Sequence, residues 1–304
     1  MSFNEAILAC NQNKNAAECF LENASLNSTE LAYDETADNN LRYFGANPNN
    51  YVSFNNELWR IIGVMNNIDN GTGKKESRIK IIRDESIGEN EWDDMDAMGQ
   101  NNWTKSILKD LLNTGAYYNR TTGIYGDFLQ KPVDFTSTGL TNGAKSLIDN
   151  AVWNLGGFDS TNYNIPISYT KERGTEVYNG NPTTWTGKVG LIYPSDYGYA
   201  TSGGSTTNRE NCLNIPLSDW TDDSSTKTWE CVINNWIIKG KNSLWTISHS
   251  LYLSTDVIYV SFMGFVSTTS AYTPSIDIAP VTYLSSNVKI SGGDGSSSNP
   301  YQIA

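Results

Sequence analysis

Nucleophilic hydrolysis needs a base beside its nucleophile, and this chain offers one histidine, His249, within Ser248-His249-Ser250. No nucleophile elbow surrounds it, and a lone histidine on a polar loop is more often a surface residue than a general base. Carboxylates are more abundant. Glu89, Glu91, Asp93, Asp94 and Asp96 gather around Trp92, where their oxygens could hold calcium or form a solvated acidic loop; EF-hand spacing is absent. A glycosidase requires two carboxylates flanking a cleft, and no two stand out among the 33 Asp and Glu. Neither G-x-x-x-x-G-K-[ST] nor a strand-bounded G-x-G-x-x-G occurs, so nothing marks a nucleotide site. The expectation is a protein that is not an enzyme and uses no cofactor.

Cys10, Cys19, Cys212 and Cys231 permit three pairings if all are oxidised. Local pairing, Cys10 with Cys19 and Cys212 with Cys231, is the simplest; four buried thiols is the alternative. With no C-x-x-C unit and one histidine, no zinc site is expected. An even cysteine count in an Asn-rich, Lys-poor chain fits an oxidising, extracellular setting.

One segment has the composition of a binding surface. Across residues 245–277, Trp, Tyr, Phe, Ser, Thr and His alternate with Ile247, Val257, Val260 and Val266. Tyr and Trp give large contact areas at low entropic cost, and Ser and Thr add adaptable hydrogen bonds. A pair of core strands with an aromatic outer face has the same composition. Side-chain alternation along strands divides the segment. Trp245, Val257, Val260 and Val266, with Pro280 and Tyr283, fall to the scaffold. Ser248, His249, Leu251, Tyr252, Ser254, Ser261, Met263, Phe265, Ser267, Ser270 and Tyr272 fall to the exposed, ligand-contacting set.

These residues need a frame, and 304 residues, 38% of them hydrophobic, suffice to bury one. Residues 1–20 carry apolar side chains at roughly helical spacing, and residues 23–40 read as a polar linker. The main domain is expected over residues 41–304. Tyr51-Val52-Ser53-Phe54, Leu58-Trp59-Arg60-Ile61-Ile62-Gly63-Val64-Met65 and Arg78-Ile79-Lys80-Ile81-Ile82-Arg83 read as strands. Residues 104–112 and 144–155 carry helical apolar faces. From Trp185 onward strands dominate, and Val288-Lys289-Ile290 with Tyr301-Gln302-Ile303 reads as a terminal hairpin. The fold class is α+β, one compact domain of mixed antiparallel strands with two or three helices.

The net charge of −12 repels a phosphate backbone, which excludes nucleic acid as a partner. No apolar run approaches the roughly 20 residues of a membrane span. If the native protein is secreted, its signal or anchor must have been removed, and the Met1-Ser2 start fits a trimmed chain.

Three passages resemble surface proteins of gut Firmicutes and Mollicutes-like bacteria. They are Asn50-Tyr51-Val52-Ser53-Phe54-Asn55 leading into Leu58-Trp59-Arg60-Ile61-Ile62-Gly63, the block from Trp185-Thr186-Gly187-Lys188 through Tyr193-Pro194-Ser195-Asp196-Tyr197-Gly198-Tyr199, and Val288-Lys289-Ile290-Ser291-Gly292-Gly293-Asp294-Gly295. Such proteins are similar to targets of diversity-generating retroelements, whose variable residues lie near the C-terminus of a C-type-lectin-like scaffold. The matching frame is Trp245-Thr246-Ile247-Ser248 and Ala279-Pro280-Val281-Thr282-Tyr283-Leu284, with Ala279 in place of an arginine and His249 in place of a proline. The Glu-Pro-Asn and Gln-Pro-Asp tripeptides of calcium-dependent lectins are absent.

The resemblance implies adhesion or receptor binding, with a protein or glycan on a cell or phage surface as the partner. Two other readings compete, a pilin-like structural subunit and a secreted carbohydrate-active enzyme.

Overall fold

The run from Leu58 to Met65 is almost wholly apolar, which suits a strand covered on both faces. In the computed structural model, which describes residues 1–94, 100–113 and 135–304, it lies within the longest strand of the molecule. The first five strands are β1 (Leu31–Tyr33), β2 (Leu41–Tyr43), β3 (Tyr51–Phe54), β4 (Glu57–Asp69) and β5 (Lys75–Arg83). Then come β6 (Ala151–Asn154), β7 (Thr184–Gly187), β8 (Val189–Gly190), β9 (Leu244–His249) and β10 (Asp256–Val260). The last are β11 (Val266–Ser270), β12 (Val281–Tyr283), β13 (Ile290–Gly292) and β14 (Tyr301–Ile303).

The main sheet runs β13-β14-β3-β4-β5-β12-β8, with β1 and β2 attached to β4. β4 is long enough for β3 to occupy one part of an edge and β2 the next, while β5 follows the other edge. Gly63 makes that branching possible: a Cβ there would lie 2.0 Å from the Leu41 carbonyl oxygen. β6 pairs with β7, and β9, β10 and β11 form a separate antiparallel sheet with β10 at its centre. The predicted strands at 51–54, 58–65 and 78–83 and the terminal hairpin are all present, Ile290 pairing with Ile303.

Helix is spread over eight short segments among the described residues, where the sequence suggests two or three. They are α1 (Phe3–Cys10), α2 (Ala16–Asn23), α3 (Ile107–Asn113), α4 (Asn142–Ser146), α5 (Ile165–Glu172), α6 (Pro194–Tyr199), α7 (Arg209–Asn214) and α8 (Trp229–Ile233). The helical pattern over residues 144–155 does not hold. α4 ends at Ser146, and Ala151–Asn154 is the strand β6, whose Trp153 pairs with Trp185 of β7. Apolar residues spaced for a helix face also fit two short elements once an aromatic partner stands across the strand.

The first 40 residues are part of the packed body. Ser2 and Asn15 cap α1 and α2 in capping boxes, Phe3 and Phe20 meet edge to face with centroids 5.5 Å apart, and Phe20 reaches Tyr301 at 5.7 Å. The stretch read as a linker contains β1 and the buried Asp34.

One continuous core joins both ends of the chain to the sheets, and the result is a single α+β domain. Its centre is a file of tryptophans, with Trp92 and Trp103 at 5.4 Å, Trp103 and Trp185 at 5.8 Å, and Trp185 and Trp153 at 6.3 Å. Both local disulfides are formed, Cys10 to Cys19 and Cys212 to Cys231. No helix among the described residues is long and apolar enough to cross a membrane.

Candidate binding surface

β9, β10 and β11 are joined by two hairpin turns that lie at opposite ends of a five-residue strand, so the turns stand about 17 Å apart. The predicted surface is therefore two sites. At one end, the loop over residues 250–255 presents Tyr252 and Leu253, which are 72% and 56% exposed, and Tyr272 follows β11 at the same end. At the other end the turn presents Phe262, 60% exposed, beside Met263.

The first loop is held almost entirely through its backbone. Asn101, itself buried, donates from Nδ2 to the carbonyls of Ser250 at 2.8 Å, Leu253 at 2.9 Å and Asp256 at 3.1 Å. Its own backbone N–H reaches the Ser254 carbonyl at 2.6 Å, and Asn181 donates to its Oδ1 at 2.9 Å. The Ala271 N–H donates to the Thr255 carbonyl and the Leu251 N–H to the Phe158 carbonyl. Gly157 lies beneath, where a Cβ would come 2.4 Å from Leu251 Cδ2. Each backbone bond contributes about 1 kcal/mol and fixes the loop without fixing what its side chains are.

Six residues assigned to the scaffold are buried as expected: Trp245, Val257, Val260 and Val266 in this sheet, and Pro280 and Tyr283 at β12 of the main sheet. Of the predicted contacts, Tyr252, Met263 and Tyr272 are exposed, and Leu251, Ser254, Phe265, Ser267 and Ser270 are half-buried. Ser248, His249 and Ser261 are corrections, since all three are buried. For Ser248 and His249 the cause is that β9 is covered on both faces, so alternation places no side chain of it in solvent; Ser261 lies in the turn after β10, where its hydroxyl accepts the Met263 N–H at 3.2 Å. The Ser248 and Ser270 hydroxyls are enclosed without a hydrogen bond. His249 accepts the Tyr178 N–H at 3.2 Å through Nε2, and burial pushes its pKa down to about 4. It is a neutral core histidine. Leu253 and Phe262 are exposed apolar residues that alternation missed, because both sit in turns where strand periodicity lapses.

The acidic cluster is divided: Glu89 is exposed, while its neighbours turn inward. Glu91, Trp92, Asp93 and Asp94 are buried, and Asp93 accepts the Ile107 N–H at the start of α3. Burial pushes the Asp93 carboxyl up to about 7. Asp96 lies outside the described residues. Among the described residues no three His, Cys, Asp or Glu side chains form a group that could hold a metal.

The Tyr-Pro-Ser-Asp-Tyr-Gly-Tyr block forms α6 and carries a buried charge network that the sequence did not announce. Asp196 accepts from Arg42 at 2.6 Å, Lys80 at 2.5 Å and the Tyr193 N–H at 3.0 Å, and Arg42 also pairs with Asp34 at 3.0 Å. Burial alone would raise the Asp196 carboxyl; Lys80 and Arg42 outweigh it and hold it down to about 2. Ser195 donates to Glu172 at 2.5 Å, and burial pushes Glu172 up to about 7 against the pull of Arg173. Arg42 Nη2 is enclosed there without a hydrogen bond, and the rest of the cluster is held by ion pairs between distant parts of the chain. A cavity of about 700 Å³ opens beside it, lined by Asp34, Tyr169, Arg173 and Tyr199.

No protein-family model, curated protein or solved structure matches this chain. The surface must be interpreted from its own geometry.

Proposed function

We propose that this chain is a secreted or surface-displayed binding domain on a C-type-lectin-like scaffold, and that it grips a protein or glycan of a cell or phage surface. Its principal contacts are Leu251, Tyr252, Leu253, Ser254 and Tyr272. One observation carries the reading: a loop whose backbone is tied down by buried Asn101 nevertheless holds Tyr252 and Leu253 out in water. Ordering a loop and exposing its largest apolar side chains costs stability unless a partner covers them, and a pre-ordered loop loses little entropy on binding. Two disulfides support an oxidising, extracellular setting. Anchoring through carbonyls suits a surface whose side chains are diversified, since exchange of Tyr252 or Leu253 leaves those bonds intact.

Alleles of the gene from many strains test it. Substitutions gathered at positions 251–254 and 272, with Trp245, Asn101 and Val257 constant, are the expected result. An even spread through residues 245–277 would defeat the diversified surface. The purified domain, applied to an array of mucin and cell-wall glycans and to whole cells, should lose adhesion in the Tyr252→Ala, Tyr272→Ala double variant. Equal adhesion would remove the loop from the contact.

A further inference from the structure

On the other side of the small sheet, between β4 and the turn that follows Trp236, lies a cavity of about 600 Å³ lined by Arg60, Trp236, Lys241 and Asp277. Its charged groups are incompletely paired. Arg60 is clamped between the rings of Tyr51 at 4.2 Å and Trp236 at 4.6 Å. Its Nε bonds Asn50, its Nη2 bonds Asn47 and the Pro48 carbonyl, and among the described residues its Nη1 has no hydrogen bond. The Lys241 Nζ is enclosed and also has none. Asp277 is 7% exposed, and among the described residues its carboxylate makes neither a hydrogen bond nor an ion pair. An enclosed ammonium without a hydrogen bond, on a cavity also lined by an unpaired carboxylate and a guanidinium edge, is bonding capacity that a ligand in the cavity could use.

We propose that this cavity binds a small hydroxylated carboxylic acid of monosaccharide size, such as a uronic acid. Its carboxylate sits against Arg60 Nη1 and Lys241 Nζ, and a ring hydroxyl donates to Asp277. Charge and size select this class. Arg60, Lys239 and Lys241 line the cavity together with Asp84, Glu85 and Asp277, so the lining is balanced and does not favour a dianion such as phosphate. The volume lies in the range of small-molecule sites and exceeds what a minimal amino acid fills. The fixed guanidinium edge provides directional donors for a carboxylate. The proposal is independent of the loop at residues 250–255.

Titration of the full chain with galacturonate, glucuronate and N-acetylneuraminate tests it, with galactose, inorganic phosphate and alanine as controls. Binding is followed by tryptophan fluorescence, which Trp236 should report, and by calorimetry. At least one sugar acid should bind at least tenfold more tightly than galactose, phosphate or alanine. Lys241→Met should lower that affinity by at least tenfold and Asp277→Asn by severalfold; neither side chain makes a hydrogen bond, so the fold should persist, as circular dichroism would check. Tyr252→Ala should leave the affinity unchanged, which separates this site from the loop surface. The proposal is overturned if no sugar acid binds up to 10 mM, a span set by the roughly 3 kcal/mol of such weak contacts. It is also overturned if galactose, phosphate or alanine binds as well as the acids, or if Lys241→Met binds like the parent.

Discussion

Replacing Asn101 by alanine isolates the argument that the loop at residues 250–255 is held from below. The change removes the three bonds from Nδ2 to the carbonyls of Ser250, Leu253 and Asp256 and the one that Oδ1 accepts from Asn181. The backbone bond from Asn101 to Ser254 remains. Leu253 and Asp256 keep a second donor, the N–H groups of Asp256 and Ser250, whereas the Ser250 carbonyl has no other. Four bonds at about 1 kcal/mol each set an upper bound near 4 kcal/mol, and the retained donors reduce the expected loss to roughly 2–3 kcal/mol. Urea unfolding followed by tryptophan fluorescence measures that loss, and amide exchange should quicken at Ser250 and Asp256 more than in β4. Asn101→Asp sharpens the test, because an acceptor of the same shape then faces three carbonyls, and it should cost more than alanine. A loss under about 0.5 kcal/mol with unchanged exchange would refute the idea that Asn101 orders the loop.

Three further outcomes follow from the frame. Removing Cys212–Cys231, which closes the longer span of 19 residues, should cost about 3 kcal/mol, and removing Cys10–Cys19, with 9, slightly less; differential scanning calorimetry compares them. His249 has a folded pKa near 4 against an ordinary value near 6.5, so the unfolded chain takes up the proton first as pH falls. Stability from this group is full above about pH 6.5 and declines towards pH 4 by about 3 kcal/mol, and His249→Gln should remove that component of the acid limb in urea titrations at pH 7, 5.5 and 4. Asp93, raised to about 7, runs oppositely, contributing fully below about pH 3.8 and losing its contribution as pH climbs through 7, so the comparison with the variant isolates the histidine. Asp196→Asn leaves Arg42 and Lys80 short of a counter-charge in the core and should cost about 3–5 kcal/mol by chemical denaturation.

Periodicity revealed the elements whose neighbours matter least. The strands β3, β4 and β5 and the terminal hairpin were legible because their apolar runs are long and bounded by turns. The stretch at 144–155 was not, because Leu147, Ile148, Ala151 and Val152 fit a helix face locally, while the partner that makes β6 a strand, Trp185, lies more than 30 residues on. The same distance hid the charge network, where Arg42 and Asp196 are 154 residues apart. Nothing beside either residue tells that they meet. In the candidate site, alternation placed the aliphatic Val257, Val260 and Val266 inside, where they lie. It failed for Ser248 and His249, since a strand covered on both faces has no outward side, and for Ser261, which sits in a turn where strand periodicity lapses.

The loop and the charge network answer opposite demands. Asp196, Arg42 and Lys80 are specified by their side chains, so each must keep its identity for the others to remain paired. The loop is specified by carbonyl and amide groups that every residue supplies, and its one indispensable side chain, Asn101, comes from a distant part of the chain. The side chain at position 252 therefore carries little of the fold's free energy. Tyr252 is mostly in water, and its N–H is held by the Ser250 hydroxyl at 3.1 Å whatever side chain it bears. On the proposed reading, a scaffold of this kind would confine sequence change to the surface: the frame absorbs the cost of ordering the loop once, and the exposed positions would be chosen by what they touch.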